Sequence, residues 1–216
     1  MTDFNYVGID ETTLAVGNGG LIIVAAYTAN KELTRQCQLE KAGDLLKKRV
    51  ENSGKDLMLL FPTLVEMYST GLDGFYWMRA NKGRFNRQEI EHASIAHLVA
   101  NQGFDPKKTV LLIDNFYGNG YKTEELIFNY LQRQGFRIPR KNIECHAGGD
   151  SNLPIINYAD LLAFQITVGI RRKYDHFFPN ATKFPIEINE IPFNEARVKE
   201  LTESDRIKLE LLLSTN

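Results

Sequence analysis

The chain has 216 residues, 43% hydrophobic and 25% charged, which fits one globular domain with an ordinary core. Its formal net charge of -1 excludes a global electrostatic pull toward nucleic acid, so such a partner must be argued from local basic patches. Only Cys37 and Cys145 are present, which excludes a disulfide scaffold or a cysteine zinc site and points to a reduced, cytoplasmic setting.

Nothing in Met-Thr-Asp-Phe-Asn-Tyr at the start of the sequence has the basic-then-apolar pattern of a secretory signal. The longest apolar run, Leu21 to Tyr27, is far short of a membrane span. Residues 4–10 read as a strand, and Val7-Gly8-Ile9-Asp10-Glu11 puts two carboxylates at its end. Val16 to Gly20 is a hairpin signal, and residues 20–28 read as a second strand buried on both faces. Residues 32–52 carry Leu33, Leu39, Leu45, Leu46 and Val50 at helical spacing, and residues 57–70 hold room for another helix. Gly74 to Ala80 reads as a third strand.

Asn86 with Glu89 forms a capping box for a helix that Gly103 stops. Residues 109–114 read as a fourth strand, Val110-Leu111-Leu112-Ile113-Asp114 again ending an apolar run on an acid. A helix over 122–134 stops at Gly135, and Asn142 to His146 reads as a short fifth strand. Residues 154–173 read as a long apolar helix opened by Pro154, with a polar stripe of Asn157, Asp160, Thr167 and Arg171. Thr202-Glu203-Ser204-Asp205 is a capping-box signal for a last amphipathic helix ending near Leu213. The expected architecture is a single α/β domain over 1–216: a mixed five-stranded sheet, antiparallel first and parallel later, with helices on both faces. A helical insertion at about 32–70 and a C-terminal helical extension at about 193–214 complete it.

This order of elements resembles the ribonuclease H-like superfamily, and most of all type 2 ribonuclease H. Gly8-Ile9-Asp10-Glu11 matches that family's opening strand end, and Gly19-Gly20 falls where it has Gly-Pro. Glu91 to Ala96, Pro106 to Asp114, and Gly149-Asp150-Ser151-Asn152-Leu153-Pro154 resemble its later helix, strand and helix lead-in. Three places depart from the pattern. Thr13-Leu14-Ala15 stands where the family's Gly-Arg-Gly reads a ribose hydroxyl, so RNA selectivity does not carry over. Asn115 replaces the glycine after the fourth strand, and the family's helix acid would fall near the apolar Val168. The Ala159-Asp160 pair looks instead like a broader group of ribonuclease H-like proteins with Ala-Asp early in the last catalytic helix.

The resemblance implies a nuclease whose Asp10, Asp114 and Asp160 hold Mg²⁺ or Mn²⁺, with Glu11 assisting and nucleic acid as partner. Hard oxygen donors suit those ions, and acids that interrupt buried strands and helices need a counter-charge. Each acid also has a plain structural role open to it, as a turn former or cap. Asp150, in a Gly148-Gly149 loop, competes with Asp160 for the last ligand position. Glu11 reaches the site only if the chain turns at Thr12-Thr13, because successive residues of a strand face opposite ways. Arg79, Lys82, Arg84 and Arg87 form one basic cluster suited to phosphates, and Arg171 leads another; either is equally a solvated face. His92, His97, Cys145 and His146 read as structural, with His146 also open to a proton-shuttling role. The alternatives are a catalytically lapsed protein of the same fold that binds nucleic acid or a protein, and a carboxylate-metal phosphatase or nucleotide hydrolase.

Overall fold

A computed structural model describes residues 4–14, 20–40, 44, 71–81, 87–114, 120–172 and 187–203. Among the described residues, six strands form one mixed sheet in the order β5-β4-β1-β2-β3-β6. β1 (Asn5–Leu14), β2 (Gly20–Thr28) and β3 (Gly74–Asn81) make an antiparallel meander. β4 (Thr109–Asp114) runs parallel to β1, and β5 (Ile143–His146) runs parallel to β4.

Side chains alternate across a strand, so apolar residues at successive positions feed two separate cores. Val7, Ile9, Ile23, Leu111 and Ile113 pack on one face, beneath α1 (Arg87–Ala100) and α2 (Gly120–Arg133). Ile22, Val24, Trp77 and Leu112 pack on the other, beneath α3 (Pro154–Arg172). On α3, Ile155, Ile156, Leu162 and Ile166 are buried at helical spacing. Each such side chain contributes about 1.5–3 kcal/mol. α2 ends as its sequence dictates: Gly135 takes φ +81°, its N–H donates to the Gln132 carbonyl, and the Phe136 N–H donates to the Leu131 carbonyl.

Three expectations are corrected. The sheet has a sixth strand, β6 (Glu187–Glu190), parallel to β3. Its four residues carry one apolar side chain, and the open edge of β3, rather than any local pattern, makes it a strand. Helix does not begin at residue 32: Lys31–Thr34 is a single 3₁₀ turn capped by Asn30, and the chain then runs non-helical through residue 40. The reason is tertiary, since the Cys37 and Leu39 N–H groups donate to the Asn152 and Ser151 carbonyls. The last helix, α4, already covers residues 195–203, with the Asn194 side chain accepting the Arg197 N–H as its cap. Thr202 is therefore inside it, and Val198 and Leu201 pack into the core beneath α1 and α2. The expected helix at 57–70, most of the one at 32–52 and residues 204–216 lie outside the described residues.

The tightest crossing is α3 over β1. A Cβ at Gly8 would stand 2.7 Å from both the carbonyl carbon and the oxygen of Ile155, which are backbone atoms that cannot swing aside. Gly8→Ala is therefore expected to cost about 2–3 kcal/mol, because helix and sheet must separate. Gly103→Ala, at φ +72° with nothing within 4 Å, is expected to cost only about 1 kcal/mol. Chemical denaturation of the two variants beside the wild type measures both.

Candidate metal centre

Strand parity decides which acids meet. Tyr6 packs in the core beneath α3 and Gly8 meets Ile155, so the even positions of β1 face α3 and Asp10 is among them. On β4, Leu112 faces the same way, and so does Asp114 two residues on. Ile9 pairs with Ile113, which puts Asp10 beside Asp114 on strands about 4.8 Å apart. His146, paired with Asp114, is next along on that face, and its Nε2 lies 3.3 Å from Glu144 Oε2.

The approach to α3 brings the other acids. Gly148 takes φ +66° and turns the chain into the 3₁₀ turn Gly149–Ser151. There the Gly149 N–H donates to Asp114 Oδ1 at 2.7 Å, fixing that carboxylate against the turn. Asp150 is buried, and its carbonyl accepts from Asn157 Nδ2 at 2.7 Å; the same amide donates to the Glu40 carbonyl at 2.9 Å. Asn157, read from the sequence as part of a polar stripe, thus ties α3 to the turn and to the chain at Glu40.

Asp10 is 6% exposed. Its carboxyl is held well above the usual carboxylate range, first by burial and then by the charges of Asp160, Glu11, Asp114 and Asp150 in that order. Asp150 and Asp160, competitors in the sequence, both act on Asp10, and Asp160 acts more strongly. The strand does not turn at Thr12-Thr13: β1 stays paired with β2 in unbroken register to Leu14. Glu11 consequently stands on the α1 and α2 side of the sheet, opposite to Asp10.

Among the described residues, no three His, Cys, Asp or Glu side chains stand close enough together to form a metal-binding group. The donor chemistry still fits a hard divalent cation. The candidate donors are all carboxylates, Asp10 and Asp150 are buried, and the charges of the others oppose ionisation of Asp10. Arg79 is exposed on the same face as Asp10, two strands away across β2. Arg87 opens α1 and Arg171 lies in the last turn of α3, while Lys82 and Arg84 lie outside the described residues.

Two features had little or no signal in the sequence. Gly149 matters through its backbone N–H, which any residue carries. It also has no room for a side chain, since a Cβ would stand 2.6 Å from Ile156 Cδ1 and 3.3 Å from Asp114 Oδ1. His92, on α1, is buried with neither ring nitrogen hydrogen-bonded. Burial, with Lys122 adding to it, lowers its pKa to about 4.

The sequence matches no protein-family model and no curated protein. Solved structures do resemble the fold. Ribonuclease H2 from Pyrococcus horikoshii OT3 superposes with a TM-score of 0.55 at 15% identity, over 91% of this chain and 84% of that one. The RNase HII structure from Archaeoglobus fulgidus, solved as a complex with PCNA, superposes with a TM-score of 0.52 at 13% identity, over 92% and 87%. The fold is therefore ribonuclease H-like, with six strands in the sheet rather than five. No helix among the described residues is long and apolar enough to cross a membrane.

Two pH dependences follow. A raised folded-state pKa at Asp10 means that stability falls as pH rises from about 4 through that pKa. Asp10→Asn removes this loss and is expected to raise stability at pH 7 by about 1–3 kcal/mol in metal-free buffer. His92 works in the other direction. With its pKa near 4 in the fold, its contribution falls as pH drops from about 6.5 toward 4, by about 2–3 kcal/mol in total. His92→Phe is expected to flatten that acid limb, and urea titrations from pH 4 to 8 read both slopes.

Proposed function

We propose that this chain, with its ribonuclease H-like fold, is a divalent-metal-dependent phosphodiester hydrolase acting on nucleic acid. The observation that carries the proposal is Asp10: a buried carboxyl whose ionisation is opposed by Glu11 on its own strand and by Asp114, Asp150 and Asp160 on β4, the 3₁₀ turn and α3. Such an arrangement destabilises the protein alone and is relieved by a cation. Asp10, Asp114 and Asp160 are the residues that would hold Mg²⁺ or Mn²⁺, with Asp150 the alternative to Asp160. When bound, the ion supplies Lewis-acid stabilisation of charge on the diester and a more acidic water.

The chain's own residues supply the rest. The Gly149 N–H orients Asp114 by donating to Oδ1. Burial of Asp10 excludes water from one side. His146, on the same face in register with Asp114, is placed to hold or release a proton near the leaving oxygen. Glu11 acts from the far side of the sheet through its charge. Exposed Arg79 is positioned to meet the phosphate backbone of a strand lying across the face.

The test is cleavage of labelled single-stranded, duplex and hybrid DNA and RNA with Mg²⁺ or Mn²⁺. Asp10→Asn and Asp114→Asn are each expected to lower the rate by at least about a hundredfold. EDTA should abolish cleavage and added Mn²⁺ restore it. Wild type and Asp10→Asn equally inactive on every substrate, yet equally able to bind one, would replace the hydrolase with a binding protein of the same fold.

A further inference from the structure

A cavity of about 440 Å³ lies beside the carboxylates, on the same face of the sheet. Its apolar wall is Phe4, Tyr6, Val110, Leu112 and Leu153. Lys31, Glu144 and His146 supply charge or a titratable ring at its rim. Strand parity puts it on the face of the site: Val110, Leu112 and Asp114 are alternate residues of β4, and Glu144 and His146 are alternate residues of β5. The far wall exists because the Lys31–Thr34 turn and the extended chain after it are held by the Ser151 and Asn152 carbonyls.

We infer that this cavity seats one unpaired nucleotide flanking the cleaved phosphodiester, so that the substrate is single-stranded or frayed at that point. This rests on the hydrolase reading for its placement, though the cavity itself does not. The volume is that of a small-ligand site and is too small for a base pair with its stacked neighbours. Two aromatic rings and aliphatic side chains offer a base the faces on which bases stack, while Lys31 on the exposed rim offers a cation to the sugar–phosphate chain. Leu112 stands two strand residues, about 7 Å, from Asp114, within the reach of one nucleotide. Glu144 repels a phosphate, so the base rather than the backbone belongs at that end.

The experiment uses DNA and RNA pentanucleotides with a central 5-iodouracil, bound to the full chain in EDTA and irradiated. The expected adduct is on Tyr6 or Phe4, identified by mass spectrometry. In parallel, anisotropy is expected to show binding weakened about tenfold by Tyr6→Leu and about threefold by Lys31→Ala, the second loss shrinking as salt rises. Lys31 is exposed, so its variant keeps the test valid if Tyr6→Leu folds poorly. Adducts only outside the cavity, a wild type that binds no pentanucleotide, or binding of AMP as tight as that of the pentanucleotide would each overturn the assignment. Because binding is read without metal, cavity adducts with no cleavage under Mn²⁺ would sink the hydrolase and leave the nucleotide site standing.

Discussion

The carboxylate cluster depends on one contact, the backbone-to-backbone crossing of α3 over β1 at Gly8. Asp10 belongs to a strand, Asp160 to a helix 150 residues later, and neither holds the other, since like charges repel. What keeps them in range is apolar packing along α3, which draws the helix down until the Ile155 carbonyl meets the Gly8 backbone. Gly149 repeats the device at the lead-in to that helix. It lets the turn close against Asp114 and Ile156 together. Two glycines, neither of them carrying chemistry, set the distance at which four acids act on a fifth.

A fold that brings these groups together works against its own stability at that spot. Among the described residues, much of the rest of the chain agrees with itself, buried and unbonded His92 being another exception. The strands alternate correctly between two cores, α2 is capped by Gly135, and α4 is capped by Asn194. A local conflict among acids inside a largely consistent structure is where function is expected. The likeness to ribonuclease H2 structures says which architecture supports the conflict. The chemistry has to be argued from Asp10 and its neighbours, because one fold hosts many activities.

Much of this was legible in the sequence where the signal is local. The apolar runs at 20–28 and 109–114 match β2 and β4 residue for residue, and Pro154 marks the start of α3. What could not be read was set by partners distant in sequence. Glu11-Thr12-Thr13 looks like the end of a strand, yet β2 continues the pairing to Leu14 and thereby decides Glu11's side of the sheet. β6 and the extended chain after Lys31 exist because other elements offer them hydrogen bonds. Asp10 and Asp114 could be placed together from their matching strand ends. The hold of Gly149 on Asp114 is a main-chain bond, and residue identity carries no trace of it.

The burial of Asp10 also separates two kinds of electrostatics by their response to ionic strength. Charges on the open surface, such as Arg79, interact across water and lose their range within about 8 Å at physiological salt. The repulsion focused on Asp10 passes largely through protein, where mobile ions do not enter. Rising salt should therefore loosen whatever the protein holds by its surface cations, while leaving the demand for a counter-charge at Asp10 almost as strong as in dilute buffer.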